Sequence, residues 1–470
     1  MTTTLAPAET RPALTRGGLS TVLLGAALAP IDLFIVNVAL PTINADLHTT
    51  TATLEWIVAG YGIAFALLLV VGGRLGDAFG HRRVFSLGLA AFTLTSLVCG
   101  IAPTAGVLVA ARVAQGAAVV LMVPQVLSII QATTTGEQRS RMIGYYGATG
   151  GIAMVVGQLL GGVLVSADLA GSGWRPIFLV NVPIGVLGLV LARRLLPETR
   201  ARNPLGMDGW GTGLLGLTLL TLLVPLMEGR ALGWPAWCWV LLAAFPFAAA
   251  AFVTVERRLE ARGVTPLLPP SLVRMPSVGR GLSVAVPFFA GFGGFLFVYA
   301  LVLQDGLHLG PLASGLALTP MAVAFLVMSL LSSRFVARLG HHVIVLGTTV
   351  QVLGLLMLIG AVLLSWPDVT VLALTPGMLV TGAGQGLAGP TLVRVVLSRV
   401  PAESAGAGSG MLTTTQQSSL ALGVATLGTL FVALTGTWGV AGALLLVTGV
   451  QAVMMVGVAV SARRLPDPRG

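Results

Sequence analysis

Residues 19–40 read LSTVLLGAALAPIDLFIVNVAL, an apolar run interrupted by one ionisable side chain, Asp32. A helix crosses the hydrocarbon core of a bilayer, about 30 Å thick, in roughly 20 predominantly apolar residues. The run has that length and ends in Asn37-Val38-Ala39-Leu40-Pro41 rather than a small-residue cleavage site, so it predicts an uncleaved first membrane span. Further stretches of the same kind follow as far as Val460, with little chain between them, and bring the total to fourteen. The expected fold class is therefore all-α: a polytopic membrane protein of fourteen transmembrane helices.

Composition supports that solvent. Hydrophobic residues make up 56% of the chain and charged ones 9%, with a mean hydropathy of +0.95. A water-soluble globule of 470 residues needs a polar coat that this chain lacks. All 26 basic residues are arginine, and the net charge is +10. A nucleic-acid partner would require that charge on one continuous face. Here it is scattered among short loops, which excludes such a partner and leaves the lipid bilayer as surroundings. Cys99 and Cys238 show no repeated spacing, so neither a disulfide framework nor a metal site is expected. Without lysine there is no phosphate-binding Gly-x-x-x-x-Gly-Lys-Ser/Thr loop. No Ser-His-Asp or Cys-His constellation suggests an enzyme. No cofactor is expected.

Arginine placement orients the bundle, because arginine-rich short loops stay cytoplasmic. Arg11 and Arg16, then Arg74, Arg82 and Arg83, then Arg139 and Arg141 begin a series on alternate loops. Arg193, Arg194, Arg200 and Arg202, and Arg257, Arg258, Arg262, Arg274 and Arg280, continue it. Arg334, Arg338, Arg394, Arg399, Arg463, Arg464 and Arg469 complete it, while the opposite loops hold only Arg175 and Arg230. Both termini are thus expected in the cytoplasm, which requires an even number of spans. The divisions expected are a tail (1–18), a six-helix half (19–200), a two-helix insertion (201–255), a linker (256–280), a second six-helix half (281–462) and a tail (463–470). Thr265-Pro266-Leu267-Leu268-Pro269-Pro270 breaks helix geometry within that linker.

The halves repeat one another. Aligning Gly80 with Gly340 sets Gly73-Arg74-Leu75-Gly76-Asp77-Ala78-Phe79-Gly80-His81-Arg82-Arg83 against Arg334-Phe335-Val336-Ala337-Arg338-Leu339-Gly340-His341-His342. Arg74 then faces Arg334, and His81 faces His341. Two related six-helix halves around a midplane cavity form a design that alternates access by rocking.

The Gly73–Arg83 segment closely resembles the signature cytoplasmic loop of the major facilitator superfamily. Asp32-Leu33-Phe34-Ile35-Val36-Asn37-Val38-Ala39-Leu40-Pro41, Arg112-Val113-Ala114-Gln115-Gly116 and Trp174-Arg175-Pro176-Ile177-Phe178-Leu179-Val180-Asn181-Val182-Pro183 are similar to motifs of its fourteen-span drug:proton antiporter branch. Gly406-Ala407-Gly408-Ser409-Gly410 through Gln417 and Gly423 is similar to that branch's thirteenth span. The family's antiporter motif departs at one place. Gly157, Gly161 and Gly162 keep the glycines, which let helices approach closely, but Gln158 stands where the family has proline. Interface packing should survive that change; the proline-dependent bend need not.

An ionisable side chain inside a span costs about 2.5–3.5 kcal/mol on insertion scales, so it is expected to be paired or functional. Asp32 lies eight residues before the outer end of span 1, and Arg112 seven after the outer start of span 4. At about 1.5 Å per residue those depths are similar, ~10–12 Å. Either the two form a permanent ion pair, or Asp32 takes up and releases the coupling proton while Arg112 modulates it; the family motif favours the second. Gln115, one helical turn from Arg112, is expected to orient it or merely to satisfy a polar gap, and is also a candidate to touch substrate. Asn37, Gln304 and Gln417 are the other cavity candidates, with rim solvation the alternative for Gln304. By the resemblance, Gly73, Asp77, Gly80, Arg82 and Arg83 form a gating loop whose acid pairs across the interface between halves; Ala337 replaces that acid in the second copy.

The function implied is secondary active export of amphipathic or hydrophobic small molecules in exchange for protons, driven by the proton gradient, by a monomer in a bacterial cell membrane. A proton-coupled nutrient symporter or facilitator is the alternative within transport. A non-transporting membrane sensor is the alternative of another class.

Overall fold

The computed structural model describes residues 14–134, 136–200, 208–229, 232–264, 266–401 and 405–467. Arg11, Arg202, Arg230, Thr265 and Arg469 lie outside the described residues, and Arg139, Gly406 and Ala407 are described in backbone only. Every regular element among the described residues is helical. The first half contains α1 (Arg16–Leu47), α2 (Thr51–Phe79), α3 (His81–Gly100), α4 (Ala105–Thr133), α5 (Gly136–Ala167), α6 (Pro176–Leu179) and α7 (Asn181–Leu195), the last two making one crossing. Next come α8 (Gly209–Glu228), α9 (Ala236–Ala261) and the short α10 (Pro270–Arg274). The second half contains α11 (Pro276–Leu301), α12 (Pro311–Leu339), α13 (His342–Ser365), α14 (Val371–Leu397), α15 (Ala405–Gly423) and α16 (Thr429–Ala462). Two π-helical turns, Val302–Gly306 and Val424–Gly428, interrupt the second half.

Among the described residues, thirteen helical segments are long and apolar enough to cross a bilayer. The last, Gly408–Ala462, has 55 residues, about 80 Å of helix, far more than one crossing needs. Its helical path breaks at Gly439, whose φ is 67°, and the two pieces are each long enough for a span, which brings the number among the described residues to fourteen.

Local signals set the helix starts. Thr15, Thr50, Thr104 and Thr370 each accept a hydrogen bond from a first-turn backbone N–H, and Asp208 does so for α8. The repeat is also structural. Gly80 and Gly340 both end the second helix of their half with positive φ, 99° and 58°. A Cβ on either would overlap an acid from beyond the last helix of that half, Glu198 in the first and Asp467 in the second.

The halves meet where α5 packs on α12 and α2 packs on α15, and α8 lies against α2 and α15 outside that seam. Small residues let α5 pack closely on both sides. Within its half, a Cβ on Gly157 or Gly161 would stand 2.9 Å from the carbonyl oxygen of Ile31 or Ile35 of α1; across the seam, one on Gly162 would stand 3.1 Å from Leu312 of α12. α5 runs without interruption past Gln158, whose buried amide has no hydrogen-bond partner among the described residues. Leaving such a group unpaired costs about 1–3 kcal/mol.

The linker is pinned. Asp208 accepts the Leu267 N–H at 3.2 Å, Glu256 accepts the Leu268 N–H at 2.6 Å, and Arg74 donates to the Pro266 carbonyl at 2.9 Å. Gly423 marks the tightest approach in the second half, since a Cβ there would overlap the Ala290 carbonyl oxygen of α11. Gly423→Val should therefore force α11 and α15 apart and cost about 1–3 kcal/mol or more. A lowered midpoint in thermal unfolding of the detergent-purified protein checks this, and an unchanged midpoint contradicts the packing.

Candidate functional site

Asp32 lies midway along α1 and is fully buried, as are Arg112 and Gln115 on α4. One Arg112 guanidinium nitrogen, Nη1, donates to Asp32 Oδ2 and to Gln115 Oε1, the latter at 2.6 Å. Nε donates to the Ile57 carbonyl of α2 at 3.0 Å, and Nη2 has no hydrogen-bond partner among the described residues. The Gln115 amide donates to Asp32 Oδ1 at 3.0 Å and to Ser96 Oγ of α3 at 2.8 Å. Asn181, the first residue of α7, donates to the same Oδ1 at 3.0 Å. Two helices, α4 and α7, therefore bond the carboxylate carried by α1, and α2 and α3 hold the groups that do so.

The site is separated from the central cavity by an aromatic wall. The Arg112 guanidinium carbon lies 4.4 Å from the centroid of the Tyr61 ring, and Tyr61 Oη donates to the Ala29 carbonyl at 3.2 Å. Tyr61 also lines a cavity of about 850 Å³ between the halves. Neither Asp32 nor Arg112 is among its described lining residues. The cavity draws on α1, α2, α4 and α5 from the first half and on α11, α12, α14 and α15 from the second. It extends to Tyr146, Ser333, Leu397 and Ser409, close to the helix ends on the side where α1 begins and α16 finishes.

The opposite side is closed by hydrogen bonds between the halves. Gln304 donates to the Val38 carbonyl at 2.6 Å, Thr429 donates to Glu55 at 3.0 Å, and the Leu312 N–H donates to Ser166 at 2.8 Å. Of the four cavity candidates, Asn37 and Gln417 line the cavity, whereas Gln115 and Gln304 do not. Gln115 is occupied by Asp32, Ser96 and Arg112. Gln304 is neither a cavity residue nor a solvated rim residue: it sits within the π turn at Val302–Gly306 and is buried against α1.

The gating loop also differs from its expected pairing. Asp77 approaches His81 at 3.7 Å, one turn on, and no partner from the second half is found among the described residues. The cavity opens on this side, so the halves stand apart there. Burial raises the Asp77 carboxyl above its ordinary range, against the pull of His81 and Arg74. His81 is buried and bonded to Gln125 at 3.0 Å, rather than being a loop residue. Arg82 reaches Glu198 at 3.2 Å and Arg83 reaches it at 3.8 Å, both within the first half. The close approach of α2 to α4 falls at Gly72, one residue before Gly73.

Sequence reasoning missed Asn181, Tyr61 and Glu55 as members of these networks. Asn181 was visible as an amide inside an apolar motif. Glu55 is buried at the fifth position of α2, near the helix start where an acid ordinarily reaches solvent, and Tyr61 had no signal beyond its helical position.

Removing one partner of a buried pair leaves an uncompensated charge, which typically costs about 3–5 kcal/mol. Arg112→Met should lower thermal stability by that order, and adding Asp32→Asn should recover part of the loss. Unfolding midpoints of the two variants check this; equal midpoints for wild type and Arg112→Met contradict it.

Known proteins share both sequence and fold with this chain. A model of the Major Facilitator Superfamily matches residues 22–424. A probable actinorhodin transporter of Streptomyces coelicolor is 39% identical over 418 residues, covering 88% of this chain and 72% of that protein. A cephamycin export protein of Amycolatopsis lactamdurans is 38% identical over 414 residues, covering 85% and 82% respectively. A solved POT family transporter in complex with 5-aminolevulinic acid superposes with a TM-score of 0.71 over 97% of this chain and 99% of its own, at 14% identity, a likeness of fold. A multi-pass bundle of apolar helices, two repeated halves and a cavity between them accord with these matches, and the chain belongs to the Major Facilitator Superfamily.

Proposed function

We propose that this transporter exports amphipathic small molecules in exchange for protons by alternating access. The observation that carries the reading is a buried carboxylate held by Arg112, Gln115 and Asn181, one aromatic wall away from a large cavity open on one side. The names of the relatives, an actinorhodin transporter and a cephamycin export protein, support cargo of the antibiotic and secondary-metabolite kind. Arginine bias supports cytoplasmic termini, which makes the open side cytoplasmic.

In this reading Asp32 carries the coupling proton. Desolvation favours its neutral form, while Arg112 and the two amide hydrogen bonds from Gln115 and Asn181 favour the carboxylate. A modest change in packing as the halves rock is enough to tip that balance. Protonation releases Arg112 from its partner, so α1 and α4 can shift relative to one another. Asp77, with Gly73, Gly80, Arg82 and Arg83, closes the cytoplasmic side in the opposite state, and the Gln304 and Thr429 bonds open. Asn37 and Gln417 contact cargo. No cofactor is needed, and one chain contains both halves, so a monomer suffices.

One proton entering down about 100 mV supplies ~2.3 kcal/mol, enough for roughly a fifty-fold cargo gradient. Purified protein in liposomes under an imposed pH gradient tests this. Wild type should accumulate cargo against its gradient, and Asp32→Asn should lose that accumulation while still binding cargo. Undiminished proton-driven accumulation in Asp32→Asn rejects the assigned role.

A further inference from the structure

Building on the exporter reading above, we infer that the cavity selects neutral or anionic aromatic molecules and discriminates against lipophilic cations. Its walls are rich in phenylalanine from both halves: Phe34 and Phe65 from the first, and Phe288, Phe289, Phe292 and Phe325 from the second. Phe34 and Phe292 face one another across the halves with ring centroids 6.2 Å apart, and Phe288 meets Phe289 edge-on at 5.1 Å. Offset and edge-on ring contacts of this kind favour a flat aromatic guest.

The charge distribution then sets the sign of the guest. No Asp or Glu occurs among the described lining residues, and the only charged one is Arg394 of α14. Arg394 is exposed near the cytoplasmic mouth and has no ion-pair or hydrogen-bond partner among the described residues. Asp32 does not supply the missing negative charge, because it is already engaged by Arg112 and lies behind Tyr61. A cation leaving water needs a compensating carboxylate; ring faces attract it more weakly, and a guanidinium of like sign repels it.

An unpaired neutral polar group also lies in the wall. Gln385 lines the cavity at 2% exposure, and neither its amide nitrogen nor its oxygen has a hydrogen-bond partner among the described residues. Turned toward the cavity, such an amide offers its N–H donors and its carbonyl oxygen to a guest's carbonyl or hydroxyl groups.

Three fluorescent probes separate the possibilities: anilinonaphthalene sulfonate, its uncharged ring analogue N-phenylnaphthylamine, and the cation ethidium. Wild type in liposomes with a pH gradient should transport the first two in preference to ethidium. Arg394→Ala should raise KM for the sulfonate by roughly tenfold, the loss expected of one charge-assisted contact, and leave N-phenylnaphthylamine unchanged. Arg394→Lys should restore the sulfonate KM, an effect that a merely structural role for the side chain would not produce.

Ethidium moving as well as the sulfonate, or a sulfonate KM that ignores Arg394→Ala, overturns the selectivity. Fluorescence titration of the detergent-purified protein distinguishes this from failure of the exporter reading. If no probe is transported yet the sulfonate binds more tightly than ethidium, the cavity's selectivity stands and export falls. If ethidium binds more tightly, the selectivity falls whatever is transported.

Discussion

The ion pair between Asp32 and Arg112, sealed from water inside the first half, is the constraint to which its neighbours are fitted. Two charges in a low-dielectric interior persist only when every remaining lone pair and N–H finds a partner or is tolerated at a cost. Ser96, Gln115 and Asn181 come from three helices to satisfy the carboxylate and its amide partner, and the Ile57 carbonyl takes one more guanidinium proton. That need fixes the relative rotation of α1, α3, α4 and α7. It also explains why Gly116 is small: a Cβ there would overlap the Tyr61 carbonyl oxygen, on the helix that supplies the aromatic wall.

The surrounding bundle divides into a half that holds this network and a half that does not. α8 and α9 are tied to the first half at both ends. Trp56 donates to Glu228 at 2.7 Å on one side, and Arg74, Asp208 and Glu256 hold the linker on the other. α8 and α9 are therefore bonded to the first half rather than hanging as a separate hairpin. Thr429 is placed where three parts of the chain meet, within reach of Glu55 on α2 and the Leu226 carbonyl on α8. The π turn at Val424–Gly428 immediately precedes it, and the other π turn contains Gln304. Such turns often mark functional points because they re-aim side chains without ending a helix. Here both serve the closed side of the cavity.

Much of the bundle was legible in the sequence because the length and apolar character of a span are local properties. The meeting of Asp32 and Arg112 could be anticipated from their depths, since helix rise converts residue position into height. Gln304 could not be placed in the same way: a one-residue expansion of the helix turns it onto α1, and no periodicity records that. Asp77 was expected opposite the second half, but it approaches His81 of its own half, and the halves stand apart on its side. Glu55 sits so near its helix end that sequence position alone suggests solvent; the neighbouring α8 and Thr429 bury it. In each case the missing information is tertiary packing or conformational state rather than local preference.

The account turns on whether the Asp32 carboxyl changes protonation in the working range, which infrared difference spectroscopy across a pH titration observes directly. A protonated-carboxyl band that grows on acidification in wild type and is missing from Asp32→Asn is the predicted result. The same band at full intensity in the variant would contradict it, because the proton would then reside on another acid.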